Sequence, residues 1–152
     1  MNAAHIHLLL NHIPVIGVLF ALVLLVVGQA MRSPAVRNAA LTAFATLALL
    51  ALPVYLTGEP AQKVVEQMPG VTKAAIEEHE DAALFALIAI EVLGVLSIAT
   101  LVLLDRAPHV AQRLVFICLA LAVVTTGIMA WTANLGGRVR HTEIRENPPA
   151  AT

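Results

Sequence analysis

Residues 82–104 read AALFALIAIEVLGVLSIATLVLL, an apolar run interrupted by one ionisable side chain, Glu91. At about 1.5 Å per residue such a run crosses a hydrocarbon core of about 30 Å. Three more runs of similar character occupy residues 8–30, 39–57 and 114–133. The chain is 59% hydrophobic and 12% charged, with a mean hydropathy of +0.85, outside the range of soluble domains. Long runs rich in Leu and Ala, without the short alternation of a barrel strand, satisfy their backbone groups only as helices. The expected fold is therefore an all-α membrane protein. Its 152 residues form a single domain, an antiparallel four-helix transmembrane bundle with one outer loop carrying short helices and a polar C-terminal tail over 134–152.

The first run resembles a signal peptide in position, but it is too long and no basic stretch precedes it, so it is read as retained; the alternative is a cleaved leader. Net charge is -1 with no basic block, which argues against nucleic acid as a partner and leaves the lipid bilayer as the partner the composition demands. The single cysteine, Cys118, lies midway along the fourth run and reads as a buried, inert thiol.

Basic residues near the segment ends set the orientation. Arg32 and Arg37 follow the first run, and Arg106 and Arg113 occupy the other short loop, so both loops are expected in the cytoplasm and both termini outside. Lys63, Lys73, Arg138, Arg140 and Arg145 fall on the outer side, spread over longer, acidic stretches. Tyr55 and Trp131 then lie near the outer interface, where amphipathic rings settle. In the outer loop, Pro60 and Pro69-Gly70 punctuate a stretch in which Val64, Val65 and Met68 alternate with Lys63 and Glu66, as in a short interfacial helix. A second polar stretch, 72–81, is expected to run straight into the third segment.

This topology collects His5, His7, His12, His79 and His141 at one end of the bundle and leaves only His109 at the other. His7 and His12 point about 140° apart on a helix, so they serve different neighbours, whereas His5 and His12 share a face. Pro14 removes a backbone hydrogen bond and is expected to help aim His12 inward. His79 opens the third segment at similar depth to His7 or His12, so two imidazoles from different helices can oppose each other, as axial haem ligation requires. The expected pair is His12 with His79, His7 and His141 forming a further shell or a second site. Glu77, Glu78, Glu80 and Asp81 surround His79; they suit a solvated helix start, or with His79 an oxygen-and-nitrogen metal site. After the fourth run comes Gly136-Gly137-Arg138-Val139-Arg140-His141-Thr142-Glu143, where two glycines are expected to end the helix and fold Arg138, Arg140 and His141 over the mouth. Those arginines suit haem propionates or lipid phosphates. Glu91, near mid-membrane, is expected to meet Thr125 or Thr126, either as a hydrogen-bonded neutral acid or in proton handling. No nucleotide loop, CxxC pair, HExxH site or serine nucleophile elbow is present.

His7-x4-His12-x-Pro14, a histidine opening the third segment and Gly-Gly-x-x-x-His after the fourth resemble a widespread family of small four-helix bacterial membrane proteins without a settled activity. The resemblance spans essentially the whole chain and marks His7, His12, His79 and Gly136-Gly137 as family-like positions. His5 and the Arg140-His141-Thr142-Glu143 extension depart from it. It implies the architecture rather than a chemistry.

The expected function is a b-type haem protein with histidine ligands that transfers electrons near the outer face, with a redox partner protein and, as one option, a homo-oligomeric state. The alternatives are a metal-binding or metal-transport protein holding zinc, copper or iron at His12 and His79 without porphyrin, and a structural subunit of a membrane complex whose histidines hold helices together. Gly17, Gly58, Gly94 and Gly127 are candidates for opening a porphyrin slot, or serve ordinary helix packing. Covalent haem attachment is excluded by the lack of CxxCH.

Overall fold

The computed structural model describes residues 2–141. Its elements are α1 (Ala3–Ala30), α2 (Pro34–Leu56), α3 (Gly58–Val65), α4 (Lys73–Arg106) and α5 (Pro108–Arg140), with no strand among the described residues. Four stretches are long and apolar enough to cross a membrane: α1, α2 continued through α3, α4 and α5.

Local chemistry sets the boundaries. Asn2 caps α1 by accepting from the His5 N–H at 3.0 Å, Ser33 caps α2 ahead of Pro34, and Thr72 caps α4 by accepting from the Ala75 N–H at 3.3 Å. The polar stretch before the third apolar run is thus the first part of α4, as its sequence indicates. The short interfacial helix also forms: α3 buries Ala61, exposes Glu59 and Lys63, and packs on α1. Lys63 Nζ meets Glu59 Oε1 at 2.8 Å along its solvent side.

Sequential helices run antiparallel, so the start of α1 meets the end of α2 and the start of α4 meets the end of α5. His7 lies beside Thr57, and Thr132 Oγ1 donates to the Ala82 carbonyl at 3.1 Å. Around the ring, α1 packs on α2, α2 on α4, α4 on α5 and α5 on α1, with the last contact the loosest of the four. α1 and α4 therefore face each other across the diagonal.

Phe44, Leu25, Leu41, Ile90 and Leu93 fill the core, but small residues share it and many large apolar side chains face outward. Ala21, Ala40, Ala48, Ala51, Ala82, Ala86, Ala111 and Ala122 are buried, while Leu8, Phe20, Leu49 and Val95 are more than 60% exposed. Helices in lipid gain nothing by hiding leucine from an equally apolar solvent; they associate where small residues let backbones approach. Gly94 is such a point: a Cβ there would lie 2.4 Å from Ala48 Cβ of α2. Gly28 is another, its Cβ position 2.7 Å from the Arg37 backbone nitrogen. Cys118 is free and fully buried, within 3.7 Å of Thr100 Oγ1 and 4.0 Å of Ser97 Oγ on α4.

The structure corrects one boundary. Gly136 and Gly137 lie inside α5, which continues to Arg140 and ends on His141, whose N–H reaches the Gly137 carbonyl. The reason is packing: the His79 ring rests over Gly136, where an added Cβ would stand 3.0 Å from His79 Cε1. Arg138 and Arg140 thus form the last helical turn rather than a loop folded over the bundle. Thr142 and Glu143, with the rest of the expected tail, lie outside the described residues.

Candidate functional site

At the end of the bundle holding the histidines, a cavity of about 770 Å³ lies between α1, α2, α4 and α5, with α3 along its rim. His5, His7, His12, His79 and Arg140 line it; His141 is exposed at the C-cap of α5. The lining of α4 descends from His79 to Leu87, about 12 Å at about 1.5 Å per residue. Its mouth carries Asn2, Glu59, Gln62, Glu80 and Arg140, and its floor Ala51, Ala86, Leu87 and Met129. A ligand with one charged edge and an apolar body matches that gradient.

Three imidazoles are oriented in the same way. His7 Nδ1 is 2.9 Å from Thr57 Oγ1, and that hydroxyl gives its own proton to the Val54 carbonyl at 2.6 Å. With the hydroxyl proton committed, Nδ1 is the donor and Nε2 keeps the lone pair. His79 Nδ1 is 3.1 Å from the Thr132 carbonyl, and His12 Nδ1 is 2.7 Å from the Leu8 carbonyl. A carbonyl only accepts, so both rings again carry the proton on Nδ1 and leave Nε2 as the basic nitrogen. This is the arrangement that fixes and enriches imidazole ligands of metals.

Their surroundings differ. His7 and His79 are half-buried, and charge on one acts on the other; His12 is exposed. Pro14 does not turn His12 inward: Pro14 itself is buried, and two residues along a helix place His12 on nearly the opposite side. The imidazole set into the bundle with His79 is thus His7, bonded to the end of α2, while His12 is bonded to its own helix.

The acidic group around His79 does not gather. Glu77, Glu78, Glu80 and Asp81 are all exposed, and Glu77 lies 3.5 Å from Lys73 Nζ as an ordinary pair across one helical turn. Among the described residues, no three His, Cys, Asp or Glu side chains converge as a ready-made metal cluster.

Glu91 is also placed differently from expectation. Residues 91 and 125 fall at one depth, since Ala82 meets Thr132 and Ser97 meets Cys118 across α4 and α5. However, Gly94 faces α2 and Ser97 faces α5, and Glu91 stands about 120° round the helix from Ser97, on the α2 edge. Glu91 Oε1 and Thr125 Oγ1 are both buried without a hydrogen-bond partner, and the Thr126 hydroxyl goes to the Ala122 carbonyl. An orphaned polar atom opposes folding, so Glu91→Leu is expected to raise thermal stability in detergent by about 1–3 kcal/mol. A lower melting temperature would show that the carboxyl has a partner.

Sequence reasoning passes over Thr57 and Thr132, and names Gly58 only as one of four glycines that could open a porphyrin slot. Thr57 and the Thr132 carbonyl hold the two imidazoles, and Gly58 leaves the His7 ring its space, an added Cβ there lying 3.8 Å from His7 Cε1. The one available signal was a Thr-Gly pair closing the second apolar run at the depth of His7. No protein-family model matches the chain, and neither a curated protein nor a solved structure does.

Proposed function

We propose that the cavity holds a b-type haem between His7 and His79 and that the protein transfers electrons to or from a redox partner near the outer, periplasmic face of a bacterial inner membrane. One observation carries this reading: two half-buried imidazoles on diagonal helices each give the Nδ1 proton to a protein acceptor and keep Nε2 basic, within one cavity. The residues fit the group. Arg140 at the rim suits a propionate and Arg138 stands in the same helical turn, while the Ala, Leu and Met floor suits the opposite edge of the macrocycle. When bound, haem would supply reversible one-electron chemistry at its iron. The protein's share is to hold both imidazoles in one tautomer and to keep the site largely dry.

The test is the absorption spectrum of the purified, dithionite-reduced protein. Haem ligated by two imidazoles is expected to give a low-spin Soret and α-band pattern. Stoichiometric zinc, copper or non-haem iron with no Soret band would replace this reading with the metal alternative.

Orientation is tested separately. With both termini outside, a cysteine at exposed Gln67 is expected to react with an impermeant maleimide added to intact spheroplasts, and one at exposed Asp105 only after lysis. The native Cys118 is fully buried and contributes little background. The opposite labelling pattern would invert the topology.

A further inference from the structure

The cavity reaches lipid on one side. It is lined on α1 by Leu8 and His12 and on α5 by Ala133, all three exposed, and α1 and α5 form the loosest contact in the ring. Leu8 opens the first apolar run and Ala133 closes the fourth, so this opening lies between two helices at the edge of the apolar zone, beside the polar mouth.

His12 makes that opening chemically specific. It lies about 7.5 Å further along α1 than His7, at about 1.5 Å per residue, and its Nδ1 proton is held by the Leu8 carbonyl. What remains is Nε2, an exposed acceptor at the apolar edge of the mouth, beside Leu8. Its neighbour Asn11, half-buried in the same cavity, supplies an amide donor. The opposite wall presents Ala133 of α5, one turn before Gly136, which the His79 ring already covers.

We infer that this side opening is a binding site for a lipid-soluble quinol. Its ring hydroxyl donates to His12 Nε2, the ring lies against Ala133 of α5 with the Asn11 amide further inside the cavity, and the isoprenoid tail stays in the bilayer. The site wants a hydroxyl donor because the His12 tautomer offers only an acceptor. A phospholipid headgroup with an ammonium or a hydroxyl can also donate, but it brings no ring to lie between α1 and α5, and the titration separates the two. The inference rests on the proposed electron transfer for its purpose; binding itself does not need the haem.

The test is titration of the protein in nanodiscs with heptyl hydroxyquinoline N-oxide, a fluorescent quinol analogue carrying the same hydroxyl. Expected is saturable quenching at one site per protein, displaced by decylubiquinol and not by added phosphatidylethanolamine, phosphatidylglycerol or a sterol. His12→Leu is expected to weaken binding about tenfold, the loss of one hydrogen bond in an apolar setting. His109→Leu, at the other end of the bundle, is expected to leave it unchanged. Linear, unsaturable quenching, equal affinity in His12→Leu, or displacement by phospholipid or sterol would overturn the site. The titration reads the hydroxyquinoline and not iron. Saturable binding to protein without a Soret band therefore retains the quinol site and removes the haem, and a Soret band without saturable binding does the reverse.

Discussion

Gly94→Leu is expected to prevent the bundle from forming, while Gly127→Leu, the same chemical change one helix away, is expected to leave it intact. At Gly94 even the first added carbon would stand 2.4 Å from Ala48 Cβ, with the Phe44 carbonyl oxygen 3.6 Å away. Two methyl-sized groups need about 3.5–4.0 Å, so α2 and α4 must separate by more than 1 Å before the rest of the leucine is placed. Overpacking a tight core costs about 1–3 kcal/mol and occasionally more. Here the separation also loosens the α2 and α4 contact along its length. At Gly127 nothing lies within 4 Å of the added carbon and the residue is exposed, so leucine there enters lipid. The comparison is made by the fraction of monodisperse protein after detergent extraction and by its melting temperature. Equal behaviour of the two variants would mean that α2 and α4 do not pack through Gly94.

The contrast between these glycines shows what a linear reading captures. Depth along the membrane follows from counting residues, and depth was legible: the four apolar runs, the Thr72 start of α4, the short helix after residue 57 and the gathering of His7, His12 and His79 at one end all follow from it. Azimuth depends on which helix packs against which face, and a chain apolar all round carries little of that information. Glu91 and Thr125 therefore fall on one level in the sequence but do not bond to each other in the fold. His7 and His12 were both placed near His79, and only the Thr57 hydroxyl and the packing of α1 on α2 show which imidazole is set into the bundle. Gly136-Gly137 misled for a related reason. Two glycines near the end of an apolar run ordinarily stop a helix, but a helical glycine also makes room for a ring from a neighbour, and only the position of His79 decides between these uses.

His79→Ala is expected to abolish the low-spin haem spectrum, and His7→Ala to do the same, whereas His12→Ala is expected to leave it in place. The order follows from burial and hydrogen bonding: His7 and His79 are half-buried and tied to neighbouring helices through Thr57 and Thr132, and His12 is exposed and tied to its own. Loss of an axial ligand differs from loss of the fold in one measurable way. Free imidazole added to His79→Ala is expected to restore the low-spin bands, because the removed ring leaves a space of its own shape above Gly136. The supporting groups give a graded version of the same test. Thr57→Val keeps the volume of the side chain but removes the acceptor for His7 Nδ1–H, and outer-shell losses of this kind cost about 10–100-fold in affinity. Gly136→Ala places a methyl 3.0 Å from His79 Cε1, so the ring must shift by a few tenths of an ångström, which strains its 3.1 Å bond to the Thr132 carbonyl. Haem retention measured by gel filtration should then fall in the order wild type, Thr57→Val, His79→Ala. If His7→Ala and His79→Ala both kept the native spectrum while His12→Ala lost it, the ligand would be the exposed imidazole, and the hydroxyl and carbonyl that hold the other two would serve only to join helices.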